Sequence, residues 1–467
     1  MMSMPIRAAV PWVLFAVACA GAEADVPVPT ALLHVRIIDG TGTKTLEDQT
    51  ILIEDGRIAA IGSSATVAVP RGAEVRDLTG RTVLPGFVGM HEHLYYTARV
   101  DTAGFPTLLS MATPFAPLYL AAGVTTIRTA GAIDVQADLE LARAIEAGEI
   151  EGPRVHVTGP YLEGPGGLAE MPPLEDPDAV RAAVDRWALR GASSFKAYTH
   201  LGREELAAAV ASAHQHGATI TGHLCAVGFR DAAELGIDNI EHGFATNTEF
   251  VPDKAEDECP AAAFSGLAHV EPGDSATTVT IATLIEHGVA ITSTLAVFEQ
   301  YVAGRPSVAQ RVLDVLTEPS RESCLAQRRA VEEGALGDFE PVFRKEMTLE
   351  KMFVDAGGTL LVGSDPTGNG CIVAGYGTQR AIELLVEAGF SPVEAIRIAT
   401  LNGAEFLGVA DRLGSVEPGK LADLVVVRGD PAARIEDIEN VEIVFKEGRA
   451  LDPAGLAASA RGRVGIP

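Results

Sequence analysis

Polar side chains that can bind a metal ion stand at the ends of several apolar, strand-like segments of the sequence. The first of these segments ends in His91-Glu92-His93, where alternate residues share one face of a strand, so both imidazoles are predicted to point the same way. Burying imidazoles, a lysine and a carboxylate together is costly without a partner, and a divalent cation would supply one. The pattern therefore predicts metal-dependent chemistry, and the six candidate ligands are His91, His93, Lys196, His223, His242 and Asp365.

Each candidate ligand also has a plainer interpretation when it is considered alone. A histidine at a strand end is commonly a hydrogen-bonded structural residue, and Lys196 fits a salt bridge. Asp365 precedes Pro366, which fits a turn or a helix cap. The convergence of all six positions on strand ends favours a shared site.

Two further polar residues are candidates for substrate binding. Arg128 ends the second strand-like segment, and its guanidinium could pair with a substrate carboxylate, although a structural salt bridge explains it equally well. His200 follows the fourth segment closely enough to contact a substrate.

The candidate ligands fall in residues 86–404, where strand-like and helix-like segments alternate. Eight apolar strand candidates alternate there with stretches whose apolar residues recur every three or four positions. This order predicts the α/β class and a (β/α)8 TIM barrel, whose active site lies at the C-terminal ends of the strands. Residues 246–272 and 303–343 are predicted insertions over one barrel face, and residues 161–173 are a candidate lid.

Short β-rich segments flank the barrel region on both sides. A strand-like segment at 32–38 and the turn pair Asp55-Gly56 precede it, and similar segments follow it. Residues 25–85 and 405–467 are therefore predicted to build one small β-sandwich domain together.

The first residues are predicted to direct export. Residues 8–22 are uncharged and mostly apolar, and this stretch is shorter than the roughly 20 residues that a membrane-spanning helix needs. Small residues follow, so residues 1–24 are predicted to be a signal peptide, with the mature chain starting near Glu23 or Asp25 in the periplasm or outside the cell. A lipoprotein signal at Cys19 and a buried apolar N-terminal element are the alternatives.

Composition limits the partners of this chain. The 467 residues include 36 Lys and Arg against 63 Asp and Glu, a net charge of −27, which disfavours nucleic acid and anionic membranes as partners. Hydrophobic residues make up 47% of the chain, as in a globular protein, and no later segment is long enough to span a membrane. A small-molecule substrate is expected, and the sequence is compatible with a homo-oligomer.

Six short motifs resemble those of the amidohydrolase superfamily, and the resemblance covers nearly the whole predicted mature chain. The branch that holds imidazolonepropionase and Xaa-Pro dipeptidases is the most similar. The motifs are LPGFVGMHEH at 84–93, GVTT at 123–126, IEHG at 240–243, GSD at 363–365, ATLNGA at 399–404 and GKLADL at 419–424.

The resemblance implies a role for each candidate ligand. His91, His93 and Asp365 would bind the more buried of two divalent metal ions, and His223 and His242 would bind the second. Lys196 would react with carbon dioxide, and its carbamate would bridge both ions. Zinc is the expected metal, because imidazole ligands suit it.

The resemblance also implies a mechanism for cleaving an amide bond. Two metal ions would activate a bridging water as hydroxide and polarise the scissile carbonyl. Asp365 would accept the proton and deliver it to the leaving nitrogen. Tyr198 would donate a hydrogen bond to the developing oxyanion, although it fits a packed barrel tyrosine equally well.

Three functions remain to be separated. The first is a metal-dependent amidohydrolase that acts on an amide or dipeptide, as an Xaa-Pro-like dipeptidase or an N-acyl amino acid hydrolase. The second is a cyclic-amide hydrolase or deaminase similar to imidazolonepropionase; Lys196 counts against it, because those sites resemble one-metal centres without a bridging lysine. The third is an inactive binding protein, which the six filled ligand positions disfavour.

Two more expectations concern cysteines and substrates. Cys259 and Cys324 lie in the two predicted insertions, so a disulfide between them is expected in an exported protein. A free carboxylate beside the scissile amide is expected to improve turnover, with Arg128 as its partner.

Overall fold

The computed structural model describes residues 28–43, 45–99, 106–167, 171–335, 337–368 and 371–466. The predicted signal peptide, its cleavage site and Cys19 lie outside these residues. The strands, in chain order, are β1 (Thr30–Ile38), β2 (Thr45–Glu54), β3 (Arg57–Ser63), β4 (Glu74–Asp77), β5 (Arg81–Pro85), β6 (Phe87–Glu92), β7 (Tyr95–Arg99), β8 (Pro106–Ser110), β9 (Val124–Thr129), β10 (Arg154–His156), β11 (Thr158–Leu162), β12 (Ser194–Ala197), β13 (Thr219–Gly222), β14 (Asn239–Glu241), β15 (Ala290–Ser293), β16 (Leu360–Val362), β17 (Leu424–Arg428), β18 (Val441–Lys446) and β19 (Arg449–Leu451).

The helices connect these strands. In chain order they are α1 (Ala112–Ala121), α2 (Val135–Glu146), α3 (Pro177–Ala188), α4 (Arg203–Gln215), α5 (Phe229–Glu234), α6 (Ser275–Glu286), α7 (Leu295–Glu299), α8 (Gln310–Val315), α9 (Glu318–Glu332), α10 (Glu340–Asp355), α11 (Tyr376–Glu387), α12 (Pro392–Arg397), α13 (Gly403–Phe406) and α14 (Pro453–Ser459). Among the described helices, none combines the length and the apolar character that crossing a membrane requires.

Strands from both chain ends share one mixed sheet. Its order is β19-β18-β17-β5-β1-β2-β3, and β4 pairs with β1. β17 runs antiparallel to β5, so backbone hydrogen bonds join the two ends of the chain. The hairpin between β2 and β3 turns at Asp55 and Gly56, whose φ values of 48° and 77° are both left-handed, as this kind of turn requires. All these strands belong to one connected sheet, so the predicted sandwich of two sheets is not confirmed.

The segment predicted as the first barrel strand is divided between two sheets. β5 lies in the mixed sheet, whereas β6 pairs in parallel with β9. The change happens within one residue: the Gly86 amide donates to the Asp423 carbonyl at 2.8 Å, and the Phe87 amide donates to the Gly123 carbonyl at 2.9 Å. The strand that carries His91 therefore begins directly after the mixed sheet.

Parallel strands build the middle of the chain into an α/β fold of the TIM-barrel type. β6, β9 and β10 form one parallel ladder, and β11 to β16 form a second ladder in chain order. The end of β16 meets the end of β6, because the Ser364 and Asp365 amides donate to the His91 carbonyl at 3.2 and 2.9 Å. The C-terminal ends of these strands therefore lie along one edge, which is where the candidate ligands stand.

Local capping determines where several helices begin. The carboxylates of Asp134, Asp176 and Asp274 each accept a hydrogen bond from the amide three residues later, at the starts of α2, α3 and α6. Ser391 and Glu394 form a reciprocal capping box at the start of α12. These contacts satisfy amides that have no partner inside the helix, so the sequence itself sets these boundaries.

Disulfides attach the two inserted segments to loops that follow strand ends. The 246–272 segment is bonded through Cys225–Cys259, and the 303–343 segment through Cys324–Cys371 on α9, with Cα–Cα distances of 4.9 and 5.2 Å. The predicted Cys259–Cys324 disulfide is therefore wrong. The 246–272 segment packs on the loop after β13, and the 303–343 segment packs on the loop after β16. Cys259 and Cys324 therefore each pair with a cysteine of that loop and not with each other.

Candidate metal centre

The six candidate ligands come from five different strand ends and meet in one cluster. His91 is in β6, His93 directly follows it, and Lys196 is in β12; the other three follow β13, β14 and β16. His91, His93, Lys196 and His242 are buried, and the Asp365 side chain is 13% exposed. Parallel strands place these residues together although up to 274 positions separate them in sequence, as from His91 to Asp365.

Their polar atoms approach one another closely. His93 Nε2 lies 3.1 Å from Asp365 Oδ1, and His91 Nε2 lies 3.7 Å from the same oxygen and 3.3 Å from Lys196 Nζ. The His91 and His242 ring centroids are 4.5 Å apart, as are those of His242 and His223. The four imidazoles thus form a continuous row, with Asp365 and Lys196 beside His91.

The backbone is left-handed at two candidate ligands. His242 has φ 68° and Asp365 has φ 48°, a conformation that costs free energy for residues with a side chain and that is concentrated at functional sites. In a regular strand Glu241 and His242 would point to opposite faces. Because the strand ends in a left-handed turn at His242, both side chains contact His91.

Hydrogen bonds orient the imidazole rings. His91 Nδ1 donates to Glu241 Oε2 at 2.7 Å, and His93 Nδ1 donates to the Gly131 carbonyl at 3.3 Å. His242 Nδ1 lies 2.9 Å from the Thr294 hydroxyl. With Nδ1 occupied in all three rings, Nε2 is the nitrogen left for a metal ion.

Burial determines the protonation of the cluster. It lowers the pKa of His93 to about 4 and that of His223 to about 3, so both imidazoles are neutral at pH 7, as metal binding requires. Burial also lowers the pKa of Lys196 to about 8, which raises the fraction of free amine. The free amine is the nucleophilic form of a lysine side chain.

The structure places Arg128 in a buried salt bridge. Its side chain is fully buried, and Nη2 donates to Glu241 Oε1 at 2.6 Å and to the Met90 carbonyl. Burial alone would raise the pKa of the Glu241 carboxyl, but the Arg128 guanidinium and His91 hold it well below its usual range. This contact supports the structural salt bridge as the role of Arg128, because its charge compensates the carboxylate that orients His91, and its contact with a substrate carboxylate stays a prediction.

Tyr198 and His200 both lie near the end of β12 but in different surroundings. The Tyr198 ring packs against His223, with centroids 5.1 Å apart, so its side chain borders the ligand cluster. The His200 side chain is 33% exposed, and its Nδ1 lies 2.9 Å from the Thr199 hydroxyl. The structure thus places Tyr198 at the cluster and His200 beside it on the following loop, where its substrate contact stays a prediction.

Three residues at this site were missed by the sequence analysis. Glu241 orients His91, and the hydroxyls of Tyr95 and Tyr161 lie 2.5 Å apart beside Tyr198, whose ring is 4.9 Å from that of Tyr161. Tyr95 had a usable signal, because it continues the alternation that starts at His91. Glu241 gives no such signal, because regular strand alternation would place its side chain on the face opposite to that of His242.

The residues present fit a divalent-metal centre. One ligand atom from each of His91, His242 and Asp365 lies within 4.8 Å of the other two, and burial keeps the neighbouring imidazoles neutral. Nitrogen and carboxylate donors in this combination suit zinc and similar divalent ions.

Comparisons with known proteins agree with this geometry. A family model described as the amidohydrolase family matches residues 82–451. The imidazolonepropionase of Deinococcus radiodurans is 25% identical over 432 residues, which cover 82% of this chain and 86% of that protein. Adenine deaminase 3 of Rhizobium meliloti is 36% identical over 93 residues, but the match spans only 15% of that protein and 20% of this chain.

Solved structures resemble almost the whole chain. A proposed prolidase from Bifidobacterium longum is 26% identical, with a TM-score of 0.65 over 93% of this chain and 99% of that one. A Xaa-Pro dipeptidase with methionine bound in its active site is 23% identical, with a TM-score of 0.66 over 91% of this chain and 100% of that one. At 23% identity the second likeness supports the fold alone.

Proposed function

Because the chain belongs to the amidohydrolase family, whose members hydrolyse carbon–nitrogen bonds, we propose that it is a two-metal hydrolase. Its substrates would be dipeptides, as for an Xaa-Pro-like dipeptidase, or N-acyl amino acids. The observation that carries the proposal is the position of Lys196. Its Nζ lies 3.3 Å from His91 Nε2, beside the row of imidazoles, so a carbamate on Lys196 would lie among the proposed metal ligands.

The proposed ligands divide into two sets that share Lys196. His91, His93 and Asp365 would hold one ion, and His223 with His242 would hold the other. Two divalent ions, with zinc expected, would acidify a water molecule and polarise the amide carbonyl when bound. The carbamate on Lys196 requires carbon dioxide as a co-reactant.

The protein's own groups would carry the proton and orient the substrate. One oxygen of Asp365 lies 3.1 Å from His93 Nε2, so the carboxylate stands within the cluster. It is proposed to take a proton from water and to pass it to the leaving nitrogen. The phenolic O–H of Tyr198 is proposed as the donor to the carbonyl oxygen as negative charge develops there. Burial raises the pKa of Tyr198, which keeps that proton on the hydroxyl at neutral pH.

An imidazolonepropionase-like hydrolase or deaminase is the second candidate. The 25% identity to an imidazolonepropionase over 82% of this chain favours it. Lys196 counts against it, because a one-metal centre gives a buried lysine in the ligand cluster no bridging role. A binding protein without catalysis is the third candidate, and the complete ligand set disfavours it.

Export is also part of the proposal. The predicted signal peptide motivates it, and two disulfides support it, since such bonds form and persist in oxidising compartments. A periplasmic or secreted enzyme of this kind would act on peptides or other amides outside the cytoplasm.

Metal analysis of Lys196→Ala tests the proposed mechanism. We expect two ions per wild-type chain, loss of at least one ion in the variant, and a fall in turnover of several orders of magnitude on a dipeptide or N-acyl amino acid. Short carboxylates with bicarbonate should restore part of the activity. Asp365→Asn is the matched control, because it should keep more metal while losing proton transfer. One ion in the wild type and near-normal rates in Lys196→Ala would contradict the two-metal mechanism.

A further inference from the structure

We propose that Phe264 forms one wall of the substrate pocket and selects amides with a bulky, uncharged apolar group on one side of the scissile bond. The inference rests on the proposed amide hydrolysis and adds to it a specificity-determining residue and a substrate class. It starts from the position of one aromatic side chain in the inserted segment 246–272.

Phe264 is 51% exposed although it stands beside a candidate ligand. Its ring meets the His223 ring edge to face, with centroids 6.0 Å apart. Leu267, in the same short 3₁₀ turn (Ala263–Ala268), is fully buried and anchors the turn in the core. The turn thus leaves Phe264 at the mouth of the cluster, where a bound substrate would cover its apolar surface.

The inserted segment holds Phe264 from two directions. Cys259 is bonded to Cys225, two residues after His223, and the Thr248 hydroxyl donates to the Cys225 carbonyl at 2.6 Å. On the far side, Lys345 Nζ donates to the Val270 carbonyl at 2.8 Å. Since both ends of the segment are tied to neighbouring elements, Phe264 needs little ordering when a substrate binds.

The surroundings of Phe264 continue the apolar surface. Residues 260–263 are Pro-Ala-Ala-Ala and carry no charge. On the other side of the imidazole row, the Phe298 ring lies 6.3 Å from His242 and stacks on Phe339 with centroids 6.1 Å apart. The His223 and His242 half of the site is therefore bordered by phenylalanines.

The other half of the site is bordered by hydroxyl groups. Tyr95 packs on His93, with centroids 4.7 Å apart, and hydrogen-bonds Tyr161. Apart from Tyr198, which packs on His223, the tyrosine hydroxyls lie toward His93 and the phenylalanines toward His223 and His242. This arrangement favours a substrate with one polar and one bulky apolar end. A charged group placed against Phe264 would lose hydration without gaining a partner.

Four dipeptides with Ala or Phe at each of the two positions test the proposed role of Phe264. For the metal-loaded wild type we expect Phe to be preferred over Ala at one of the two positions by about tenfold or more in kcat/KM. Phe264→Ala should abolish this preference, chiefly through KM, with unchanged metal content. Phe264→Leu should keep part of the preference, and Val279→Ala, which removes an exposed apolar side chain from α6, should change nothing.

Removing the Cys225–Cys259 disulfide provides a second test of the position of Phe264. Cys259→Ser should weaken the same preference without loss of metal, because Phe264 keeps its chemistry but loses one of its anchors. The inference is overturned if the wild type shows no size preference, or if the preference persists in Phe264→Ala.

A binding experiment separates this inference from the proposed function. Titration calorimetry is done in the Asp365→Asn background, where neither N-acetylphenylalanine nor N-acetylalanine should be hydrolysed. It should show tighter binding of the first probe, and the difference should vanish when Phe264→Ala is added. If this result appears but no amide is hydrolysed, the proposed function fails and the wall stands. If amides are hydrolysed but the two probes bind with equal affinity, the proposed role of Phe264 is rejected and the proposed function is not.

Discussion

At the scale of single residues, one buried carboxylate connects the candidate metal centre to the core. Glu241 accepts hydrogen bonds from His91 and Arg128 at 2.7 and 2.6 Å, and Thr221 donates to it as well. Arg128 Nε and Nη1 have no hydrogen-bond partner among the described residues. The guanidinium therefore depends on Glu241 for charge compensation, and His91 depends on it for orientation.

This dependence predicts two separable effects of Glu241→Gln. Metal affinity should fall by about 10–100-fold, because His91 loses the carboxylate that orients it. The free energy of unfolding should fall by about 3–5 kcal/mol, because Arg128 becomes an unpaired buried charge. Denaturant unfolding of the metal-free protein and metal titration measure the two effects.

The double variant Arg128→Met/Glu241→Gln is the control for that prediction. It should recover much of the lost stability, since no unpaired charge remains buried, while metal affinity stays low. Unchanged metal affinity in Glu241→Gln would contradict the orienting role, and equal stability losses in the single and double variants would contradict the charge pairing.

At the scale of elements, a left-handed turn after β14 brings His242 to the site. His242 and Gly243 have φ 68° and 60°, and the Phe244 amide donates to Glu346 Oε1 on α10 at 2.8 Å. A Cβ on Gly243 would lie 1.6 Å from that same oxygen. The helix carboxylate and the turn therefore fit only if residue 243 is glycine.

Two glycine substitutions isolate this fit. Gly288→Ala adds a Cβ at φ 69° in open space, so it should cost only about 1–2 kcal/mol of stability for the left-handed backbone. Gly243→Ala has the same unfavourable left-handed backbone and also displaces Glu346. It should therefore lower the free energy of unfolding clearly more than Gly288→Ala does, and it should lower metal retention at His242. Denaturant unfolding and metal analysis of both variants check this, and equal costs with full metal content would refute it.

At the scale of the whole molecule, two disulfides attach the inserted segments to loops at the edge that carries the candidate ligands. The paired cysteines are 34 and 47 positions apart. Closing loops of that size in the unfolded chain stabilises the fold by about 3–4 kcal/mol each in the chain-entropy account.

Reducing the two disulfides should lower the free energy of unfolding by about 3–4 kcal/mol for each bond. Denaturant unfolding with and without reductant measures this loss. Peptide mapping of the non-reduced protein should recover Cys225 linked to Cys259 and Cys324 linked to Cys371. A Cys259–Cys324 peptide, or four free thiols in the exported protein, would contradict the structure.

The predicted signal peptide would shorten the mature chain. The apolar stretch at 8–22 and the small residues after it predict an N-terminus near Glu23 or Asp25. Edman sequencing of the protein exported by a bacterial host should find that start. A soluble protein that retains Met1 would reject the signal peptide.

The sequence by itself determined the edge at which the candidate ligands meet. His91, His93 and the other four stand at the ends of apolar segments that alternate with helices, and parallel strands necessarily present their C-terminal ends together. That argument needs only local patterns and chain order. Helix capping is equally local, because the capping bonds at Asp134, Asp176 and Asp274 join residues three positions apart.

Only the tertiary structure decided which distant side chains pair. Arg128 and Glu241 are 113 positions apart, and the partners of Cys259 and Cys324 were chosen by where each insertion lies over the barrel edge. His242 reaches the same site as Glu241 because its left-handed backbone ends the strand alternation, which no periodic pattern predicts. Local patterns determine where helices and strands end. Contacts between distant strands depend instead on strand register and on the path of the loops, and the register and the loop path exist only in the folded chain.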